Sequence, residues 1–390
     1  MNLLVVTEFL RRPEYNGSEV ACRALVEALR RRHRVDVVAR ADGDPVPGDV
    51  AFPVDEPTRA DPERLARFLA ERIDLGAYDL VYNLGALSFG CEVVACLRPR
   101  EAEVPLVNHF QALLAPYARA ELRPRARQRE HAAAQMEAAA RAALNVFLSP
   151  QEVREALAFG YDLASGGVAV IPNGLPLEEF DAVEPDDSFL PPARRGEGQR
   201  PLVVAAAGRF SDYAKGADLA YRAFVRLHRQ RQDVFLLVLA NKDRFAYLLR
   251  DLPADSYALL PWQPRPRFLS LLAAADLVVV PSRYEPFGLV ALEAHLLGLP
   301  VVANAVGGLA EIVHHGESGL LNPLEQGSLG LGLALARLAA APERRAMGER
   351  GRRRARREYS LERVGALVEQ ALERARLPAD AEVWLREAAR

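Results

Sequence analysis

The chain has 390 residues, of which half are apolar and about a quarter are charged, a balance typical of a globular protein with room for two domains. A formal net charge of −2 excludes a global attraction to nucleic acid, so any basic surface must be local. The three cysteines have no metal-ligand spacing and exclude a disulfide framework; without a signal peptide or a membrane-spanning stretch, they predict a cytoplasmic protein.

Short apolar runs alternate with helical segments through the first half of the chain. Strands are predicted at residues 3–7, 35–39, 80–83, 106–109 and 146–149, with a first helix at 18–32. This alternation predicts parallel strands joined by right-handed crossovers. Residues 1–172 are therefore expected to form a Rossmann-like domain.

Two positions of this half are candidates for ligand contact. Gly17, in the loop after the first strand, would let the backbone approach a phosphate or sugar, although Ser18 as a plain helix N-cap explains the loop equally well. The loop lacks the GxGxxG fingerprint, which disfavours NAD-type binding. His109 ends a predicted strand and could contact a sugar, whereas a hydrogen-bonded structural role is commoner for a single histidine.

A basic segment runs from Arg119 to His131 with arginine at five of its positions. It could hold an anionic acceptor or make a peripheral contact with acidic lipid. A solvated basic loop explains it at least as well, because Pro124 interrupts any helix there.

The pattern breaks between residues 172 and 201, where proline, glycine and charge predict an interdomain connection. Alternation then restarts, with strands predicted at 202–207, 234–239, 258–260, 277–280 and 301–303. Residues 173–375 are expected to form a second Rossmann-like domain, with a C-terminal helix at about 376–390 completing the first. Two such sheets facing across a cleft bind ligands at the carboxyl ends of their strands.

Arg209 and Lys215 follow the strand predicted at 202–207, six residues apart and next to glycines. Two cations in a strand-end loop can neutralise the phosphates of a leaving nucleoside diphosphate. Ordinary surface charge is the alternative. We favour the functional interpretation because only two of the chain's 50 basic residues are lysines.

The segment PSRYEPFGLVALEA, residues 281–294, forms a turn and then a helix that is predicted to begin near Gly288. The first amides of that helix and its dipole suit a diphosphate. Glu285 precedes the helix and Glu293 lies about 7–8 Å inside it. Two carboxylates flanking an anion pocket match hexose, diphosphate and ribose, although solvated helix-end glutamates are the alternative. The glycine pair Gly307–Gly308 is predicted either to close over a donor or to form a tight turn.

These residues resemble the retaining group 1 glycosyltransferases of the GT-B fold, glycosyltransferase family 4. The resemblance covers most of the second half and parts of the first. It rests on the Glu-x7-Glu motif of Glu285 and Glu293, supported by the segments GRFSDYAKG, IPNGLPLEEF, VVANAVGGLAEIV and HGESGLLNP.

The resemblance implies hexosyl transfer from a nucleotide diphosphate sugar to an acceptor hydroxyl with retention. A UDP-sugar is the expected donor, with GDP- and ADP-sugars as alternatives; no metal and no cofactor are expected. Glu285 would hold the hexose and Glu293 the ribose. The resemblance assigns the remaining site residues to the diphosphate (Arg209, Lys215), to donor sugar or phosphate (the amides of Phe287, Gly288 and Leu289), to the reaction centre (His109) and to the first-domain glycine loop (Gly17).

The acceptor stays open at this point. It is a glycan, a lipid-linked substrate or a small-molecule alcohol. Two other functions use the same scaffold: a non-catalytic nucleotide-sugar-binding protein, and a sugar-nucleotide epimerase. Donor hydrolysis and product analysis would distinguish them from a transferase.

Overall fold

The computed structural model describes residues 1–8, 10, 17–41, 51–99, 103–121, 126–191, 200–240, 248–250 and 252–377. Its strands are β1 Asn2–Thr7, β2 Arg34–Arg40, β3 Phe52–Val54, β4 Leu80–Gly85, β5 Leu106–Phe110, β6 Leu144–Phe147, β7 Gly167–Val170, β8 Leu202–Ala207, β9 Val234–Leu239, β10 Tyr257–Leu260, β11 Leu277–Val280, β12 Val301–Asn304 and β13 Gly319–Asn322. Its α-helices are α1 Gly17–Arg30, α2 Glu56–Arg59, α3 Pro62–Arg72, α4 Ser88–Leu97, α5 Leu114–Ala120, α6 Ala126–Arg141, α7 Pro150–Ala158, α8 Glu178–Asp181, α9 Ala217–Gln230, α10 Arg265–Ala273, α11 Leu289–Leu296, α12 Leu309–Ile312, α13 Gly327–Ala340, α14 Arg344–Glu358 and α15 Leu361–Ala375.

The chain divides into two compact units. Unit 1 holds Met1–Arg119, Arg123–Leu175 and Leu361–Arg390, and unit 2 holds Ala120–Leu122 and Pro176–Ser360. The division falls at residues 175/176 and 360/361, whereas the sequence placed it at 172/173 and 375/376. The first difference is only three residues, but the second moves a whole helix.

Unit 1 is built on a parallel sheet of seven strands in the order β3-β2-β1-β4-β5-β6-β7. Alternate residues of a strand face opposite sides of a sheet. Accordingly Leu3 and Val5 pack with α1 and α15 on one face, while Leu4 and Val6 pack with α3 and α4 on the other. Both faces are thus covered by helices, which explains the continuous apolar run at the start of the chain.

The helix α15 belongs to unit 1 from its first residue. Val364, Val368 and Leu372 recur every fourth position and are buried in the same cluster as α1. This apolar stripe is the physical reason why unit 1 takes up the chain from residue 361 rather than from about 376. Of the predicted segment 376–390, residues 378–390 lie outside the described residues.

The segment predicted as an interdomain connection is mostly part of unit 2. Phe180 and Leu190 are buried, and the ring of Phe189 lies 5.9 Å from that of Phe235 between centroids. These apolar side chains attach residues 176–191 to the second core. Residues 192–199 of the predicted connection lie outside the described residues.

Unit 2 is built on a parallel sheet of six strands in the order β10-β9-β8-β11-β12-β13. Every residue of β8 is buried. The helices α9 and α13 share one cluster with this strand through Phe224, Leu331 and Leu335. The two helices that follow β11 and α13, namely α11 and α14, pack against each other.

The strands that periodicity missed are short and lie at sheet edges. They are β3, β7 and β13, each of three or four residues. The strand predicted at 146–149 occupies Leu144–Phe147 instead, because the Ser149 hydroxyl accepts from the Glu152 amide and caps α7. Such a cap ends the extended backbone before residue 149.

Three buried asparagines form a row across neighbouring strands of the unit 1 sheet. Asn83, Asn108 and Asn145 are register partners on β4, β5 and β6. Their amides bond one another, and Asn108 and Asn145 also donate to the carbonyls of Ala138 and Ala139 in α6. The ladder fixes the end of α6 on the sheet, because a buried amide without partners is costly.

Candidate active site

The turn between β11 and α11, residues 281–288, forms the centre of the candidate site in unit 2. Gly288 caps α11 with a positive φ of 104°. The helix begins at Leu289, so Glu285 precedes it and Glu293 lies in its second turn, as the sequence predicts. The amides of Gly288, Leu289 and Val290 have no intrahelical partner at such a start. Phe287 is buried and meets the ring of Tyr359 edge-on.

Glu285 and Lys215 are in direct contact. The Lys215 Nζ lies 2.8 Å from Glu285 Oε2, and the Ser282 hydroxyl donates to the same oxygen at 2.9 Å. Only 18% of the lysine and 13% of the glutamate side chain is exposed, so this charge-assisted bond is partly shielded from water. The sequence assigned Glu285 to the hexose and Lys215 to the neighbouring diphosphate, and the tertiary structure brings the two side chains into contact.

The loop that carries Lys215 can approach the turn only because it ends in glycine. Gly216 has a positive φ of 68°, and a Cβ there would lie 2.1 Å from the carbonyl oxygen of Pro281. This is far inside van der Waals contact. Any other residue at position 216 would therefore push Lys215 away from Glu285.

Arg283 joins the same two segments and was missed by the sequence analysis. Its amide donates to the Ala214 carbonyl at 2.6 Å, and its guanidinium donates to both oxygens of Asp218 at 2.8 Å. The guanidinium also lies 3.8 Å from the ring centroid of Tyr213. Although burial alone would raise the pKa of Asp218, the bonds and charge of Arg283 hold it below its usual value.

The end of β12 also holds the turn through hydrogen bonds. Asn304 donates to the carbonyls of Pro281 and Ser282, at 2.8 and 3.0 Å, and accepts from Asn322. The amide of Gly308 donates to the Glu285 carbonyl at 3.1 Å. A Cβ on Gly307, whose φ is 49°, would lie 1.9 Å from that oxygen. The glycine pair thus packs against the backbone of Glu285; closure over a donor remains a prediction.

Glu293 is buried and its partner is Arg265, another residue that the sequence analysis missed. The Arg265 guanidinium donates to Glu293 and, through Nε at 3.0 Å, to Glu179. Burial raises the pKa of Glu293, and the charge of Arg265 opposes that shift. One signal was present in the sequence: Arg265 opens α10, where the helix dipole disfavours a cation unless a carboxylate holds it.

Arg209 is the most exposed of the predicted site residues in unit 2. Its side chain is 57% exposed, and Nε lies 3.6 Å from Asp212 Oδ2. The structure gives it no contact with Glu285 or Glu293. Arg209 is free to turn toward a ligand because a surface pair of this kind is weak.

In unit 1 the structure describes Gly17 and His109. Gly17 is the first residue of α1, whereas residues 11–16 of the predicted loop lie outside the described residues. His109 is buried in β5, one residue before the strand ends. Its Nδ1 lies 2.6 Å from the Tyr82 hydroxyl. Burial lowers the pKa of His109 to about 4, so the ring is neutral at pH 7.

Residues 122–125 of the basic segment from Arg119 to His131 lie outside the described residues. The guanidinium carbon of Arg119 lies 5.7 Å from the centroid of the Phe159 ring. His131 Nε2 lies 3.7 Å from Glu92 Oε1. Arg123 and Arg125 are not among the described residues. In the part of the chain that is described, no helix is both long and apolar enough to cross a membrane, and no three His, Cys, Asp or Glu side chains are grouped to hold a metal.

Comparison with known families gives two matches, one in each half of the chain. Residues 192–354 match the model described as Glycosyl transferases group 1, and residues 15–179 match the model described as Glycosyltransferase Family 4. The boundary between the two matches lies near the boundary between units 1 and 2.

Curated relatives are similar to part of the chain. The D-inositol 3-phosphate glycosyltransferase of Acidothermus cellulolyticus is 37% identical over 167 residues, which is 40% of this chain and 36% of the relative. That of Saccharomonospora viridis is 36% identical over 217 residues, covering 52% of this chain and 49% of the relative. The chain thus spans less than half the length of these relatives.

Solved structures are similar along nearly the whole chain. The sucrose-phosphate synthase of Thermosynechococcus elongatus aligns with a TM-score of 0.77 at 23% identity, over 96% of this chain and 98% of its own. HepE of Anabaena, solved in complex with UDP-glucose, aligns with a TM-score of 0.73 at 20% identity, over 96% and 100%. At these identities the likeness concerns the fold.

Proposed function

Because the chain belongs to the group 1 glycosyltransferases of family 4 and has the two parallel sheets of the GT-B fold, we propose that it transfers a hexosyl residue from a UDP-sugar to an acceptor hydroxyl with retention of anomeric configuration. The family and the Rossmann-like sheets predicted from the sequence are confirmed, and the transferase activity is a proposal. The donor, the stereochemistry, the acceptor and the residue roles are proposals.

The contact between Lys215 and Glu285 is the observation that carries the proposal. An ammonium group 2.8 Å from a carboxylate, beside the start of α11, lies where a diphosphate would meet the sugar. We expect Lys215 to turn to the phosphate when the donor binds, which frees a Glu285 oxygen for the hexose hydroxyls. Ser282 keeps Glu285 in place during this exchange.

The buried group of Glu293, Arg265 and Glu179 supports a second contact with the donor. Arg265 holds Glu293 in one orientation, and a preorganised carboxylate binds a pair of ribose hydroxyls more tightly than a mobile one. The ribose would then lie on the far side of the phosphates from Glu285. Arg209 and the amides at residues 287–289 would complete the diphosphate site.

The reaction breaks the bond between the anomeric carbon and the phosphate oxygen and forms a bond from that carbon to the acceptor oxygen on the same face. The acceptor proton passes to the leaving phosphate. Lys215 and Arg209 stabilise the charge that develops on the diphosphate. No metal is required in this scheme, and His109 would contact the sugar.

A UDP-sugar is the first donor to test because HepE, a structural neighbour, was solved with UDP-glucose. The relatives named as D-inositol 3-phosphate glycosyltransferases make an anionic polyol an acceptor worth including. Glycans, lipid-linked substrates and other alcohols belong in the same screen.

The experiment measures nucleoside diphosphate release from UDP-, GDP- and ADP-sugars, with the anomeric configuration of the product determined by NMR. Lys215→Ala should lower turnover about 10²–10³-fold, the typical effect of removing one preorganised charge partner. Arg209→Ala should lower it in the same direction. Arg229→Ala is the matched control, since Arg229 is an exposed arginine of α9.

Wild-type rates in both Lys215→Ala and Arg209→Ala would contradict the diphosphate assignment. An inverted product would contradict retention. Conversion of the sugar nucleotide without transfer would support an epimerase instead.

A further inference from the structure

We propose that Tyr82 is a positioning residue for His109, whose neutral imidazole it holds as the tautomer with the proton on Nε2. The inference rests on the proposed function insofar as His109 contacts the transferred sugar. It adds a residue that neither the sequence motifs nor the comparisons identify. Its evidence is the geometry of two neighbouring strands in unit 1.

The pairing of β4 with β5 places the two side chains on the same face of the sheet. Tyr82 is the register partner of Val107, and Leu84 is that of His109. Residues two apart on a strand share a face, so Tyr82 and His109 are diagonal neighbours. The hydroxyl oxygen lies 2.6 Å from Nδ1, and the two side chains are 0% and 1% exposed.

A neutral His109 imidazole carries one N–H hydrogen, which is on either Nδ1 or Nε2. Burial lowers the pKa of His109 to about 4, against a smaller opposite effect of the Ile171 backbone. At pH 7 the imidazole is therefore neutral, with one nitrogen as donor and the other as acceptor. Its partner decides which nitrogen carries the hydrogen.

The Tyr82 hydroxyl can only be satisfied as a donor. His109 Nδ1 is the one hydrogen-bond partner found for it among the described residues, and the hydroxyl has no access to water. If Nδ1 carried the proton, the hydroxyl would have to accept, and its own hydrogen would be buried without an acceptor. Such an unpaired group is costly. The hydroxyl therefore donates to Nδ1, and the ring proton is on Nε2.

The consequence concerns the free side of the ring. His109 Nε2 is buried and has no well-aligned hydrogen-bond partner within the described part of the chain, although the Ile171 backbone lies close enough to the ring to raise its pKa slightly. With the proton placed on it, this nitrogen offers a donor to a sugar or leaving-group oxygen. The opposite tautomer would offer a lone pair and repel the same oxygen.

The test uses the full-length chain with ¹⁵N-labelled histidine. NMR distinguishes the two tautomers by the shifts of their ring nitrogens, and loss of the signal in His109→Gln assigns it. The wild type should show Nε2–H, and Tyr82→Phe should show a mixture. Tyr78→Phe is the matched control, because its hydroxyl donates to Asp36 at 2.9 Å in the same unit and is not part of the site.

Steady-state kinetics provide the second readout. Tyr82→Phe should lower kcat about tenfold, the typical effect of losing one hydrogen bond, with little change in the KM of the donor. Tyr78→Phe should leave both parameters unchanged. In a His109→Ala background Tyr82→Phe should have no further effect, because it acts through His109.

An Nδ1–H tautomer in the wild type, or an unchanged tautomer in Tyr82→Phe, would overturn the inference. An equal loss of kcat in the His109→Ala background would do the same, since it would mean that Tyr82 acts through packing. A wild type without transferase activity would contradict the proposed function alone, because the NMR measurement does not depend on turnover.

Discussion

At the scale of the residue, the candidate site consists of charges that already have partners. Lys215 is bound to Glu285, and Arg265 is bound to Glu293. Partnered groups are held in one rotamer, so a ligand that replaces a partner finds the remaining group oriented. The site is therefore preorganised by its own ion pairs.

The first prediction at this scale concerns the division of labour between the two glutamates. Glu293→Gln should weaken binding of UDP about tenfold or more, because the ribose loses a charge-assisted bond. Glu285→Gln should leave UDP affinity nearly unchanged but lower turnover, because its partner is the transferred sugar. Calorimetry with UDP and steady-state rates measure the two effects.

The control for Glu293→Gln is Glu179→Gln, which removes the other carboxylate of Arg265 and leaves Glu293 in place. UDP affinity should survive this change. Equal losses of UDP affinity in Glu285→Gln and Glu293→Gln would mean that the two carboxylates share one site.

A second prediction concerns Glu152, a buried residue at the start of α7. Burial raises the pKa of Glu152 to about 8, so the native protein holds it protonated at neutral pH. Its contribution to stability is therefore complete below pH 4.5 and is lost as the pH rises toward 8. Glu152→Gln should remove that loss, which is on the order of a few kcal/mol.

Thermal unfolding at pH 5 and pH 9 tests this. The melting temperature of the wild type should fall more between the two values than that of Glu152→Gln, whose amide can still accept from the Leu148 amide. Glu137→Gln, on the exposed surface of α6, is the control. Parallel curves for all three proteins would contradict the prediction.

At the scale of the element, the turn at residues 281–288 gets its shape from neighbouring strands and loops. Asn304, at the end of β12, donates to the first carbonyls of the turn. The loop after β8 contacts the turn at Gly216 and through the bond from the Arg283 amide to the Ala214 carbonyl. Because two segments distant in sequence fix one turn, the position of Glu285 depends on both of them.

The prediction at this scale is that Asn304→Ala lowers both stability and turnover. It leaves two buried carbonyls and the Asn322 amide without their partner, at about 1–3 kcal/mol for each unsatisfied group. The turn that carries Glu285 should then relax. Thermal unfolding and steady-state kinetics well below the transition measure the two effects.

Asn145→Ala is the matched control, because Asn145 is an equally buried ladder asparagine of unit 1. It should lower stability and leave turnover intact. If both variants lost turnover to the same degree, the loss would reflect general destabilisation and not the geometry of the turn.

At the scale of the whole molecule, two parallel sheets carry the polar residues at the carboxyl ends of their strands. In unit 2 this edge collects the loops after β8, β11 and β12, and in unit 1 it collects His109 at the end of β5. Such edges suit ligand binding because the adjacent helices begin there with free amides.

The prediction at this scale is that turnover is independent of added metal. Arg209, Lys215 and the N-terminus of α11 supply the positive potential that a divalent cation would provide. The rate should be unchanged after treatment with EDTA and dialysis. Abolition of turnover by EDTA and its recovery with Mn²⁺ would refute this.

The sequence by itself determined the class of fold and the residues of the main motif. Buried strands are continuous apolar runs, so β8, β9 and β11 were predicted with the bounds that the structure has. The spacing of Glu285 and Glu293 around Gly288 also followed, since a helix start is a local property. Edge strands such as β3 and β7 were missed because they are short and only partly buried, so they lack the continuous apolar run that marks β11.

Only the tertiary structure decided which charges are partners. The contacts of Lys215 with Glu285, Arg265 with Glu293, and Tyr82 with His109 join residues 70, 28 and 27 positions apart. The packing of α15 on unit 1 likewise depended on an apolar stripe whose partner lies at the other end of the chain. Local patterns specify an element and its exposed face, but strand order and helix packing determine which residues of distant elements come into contact.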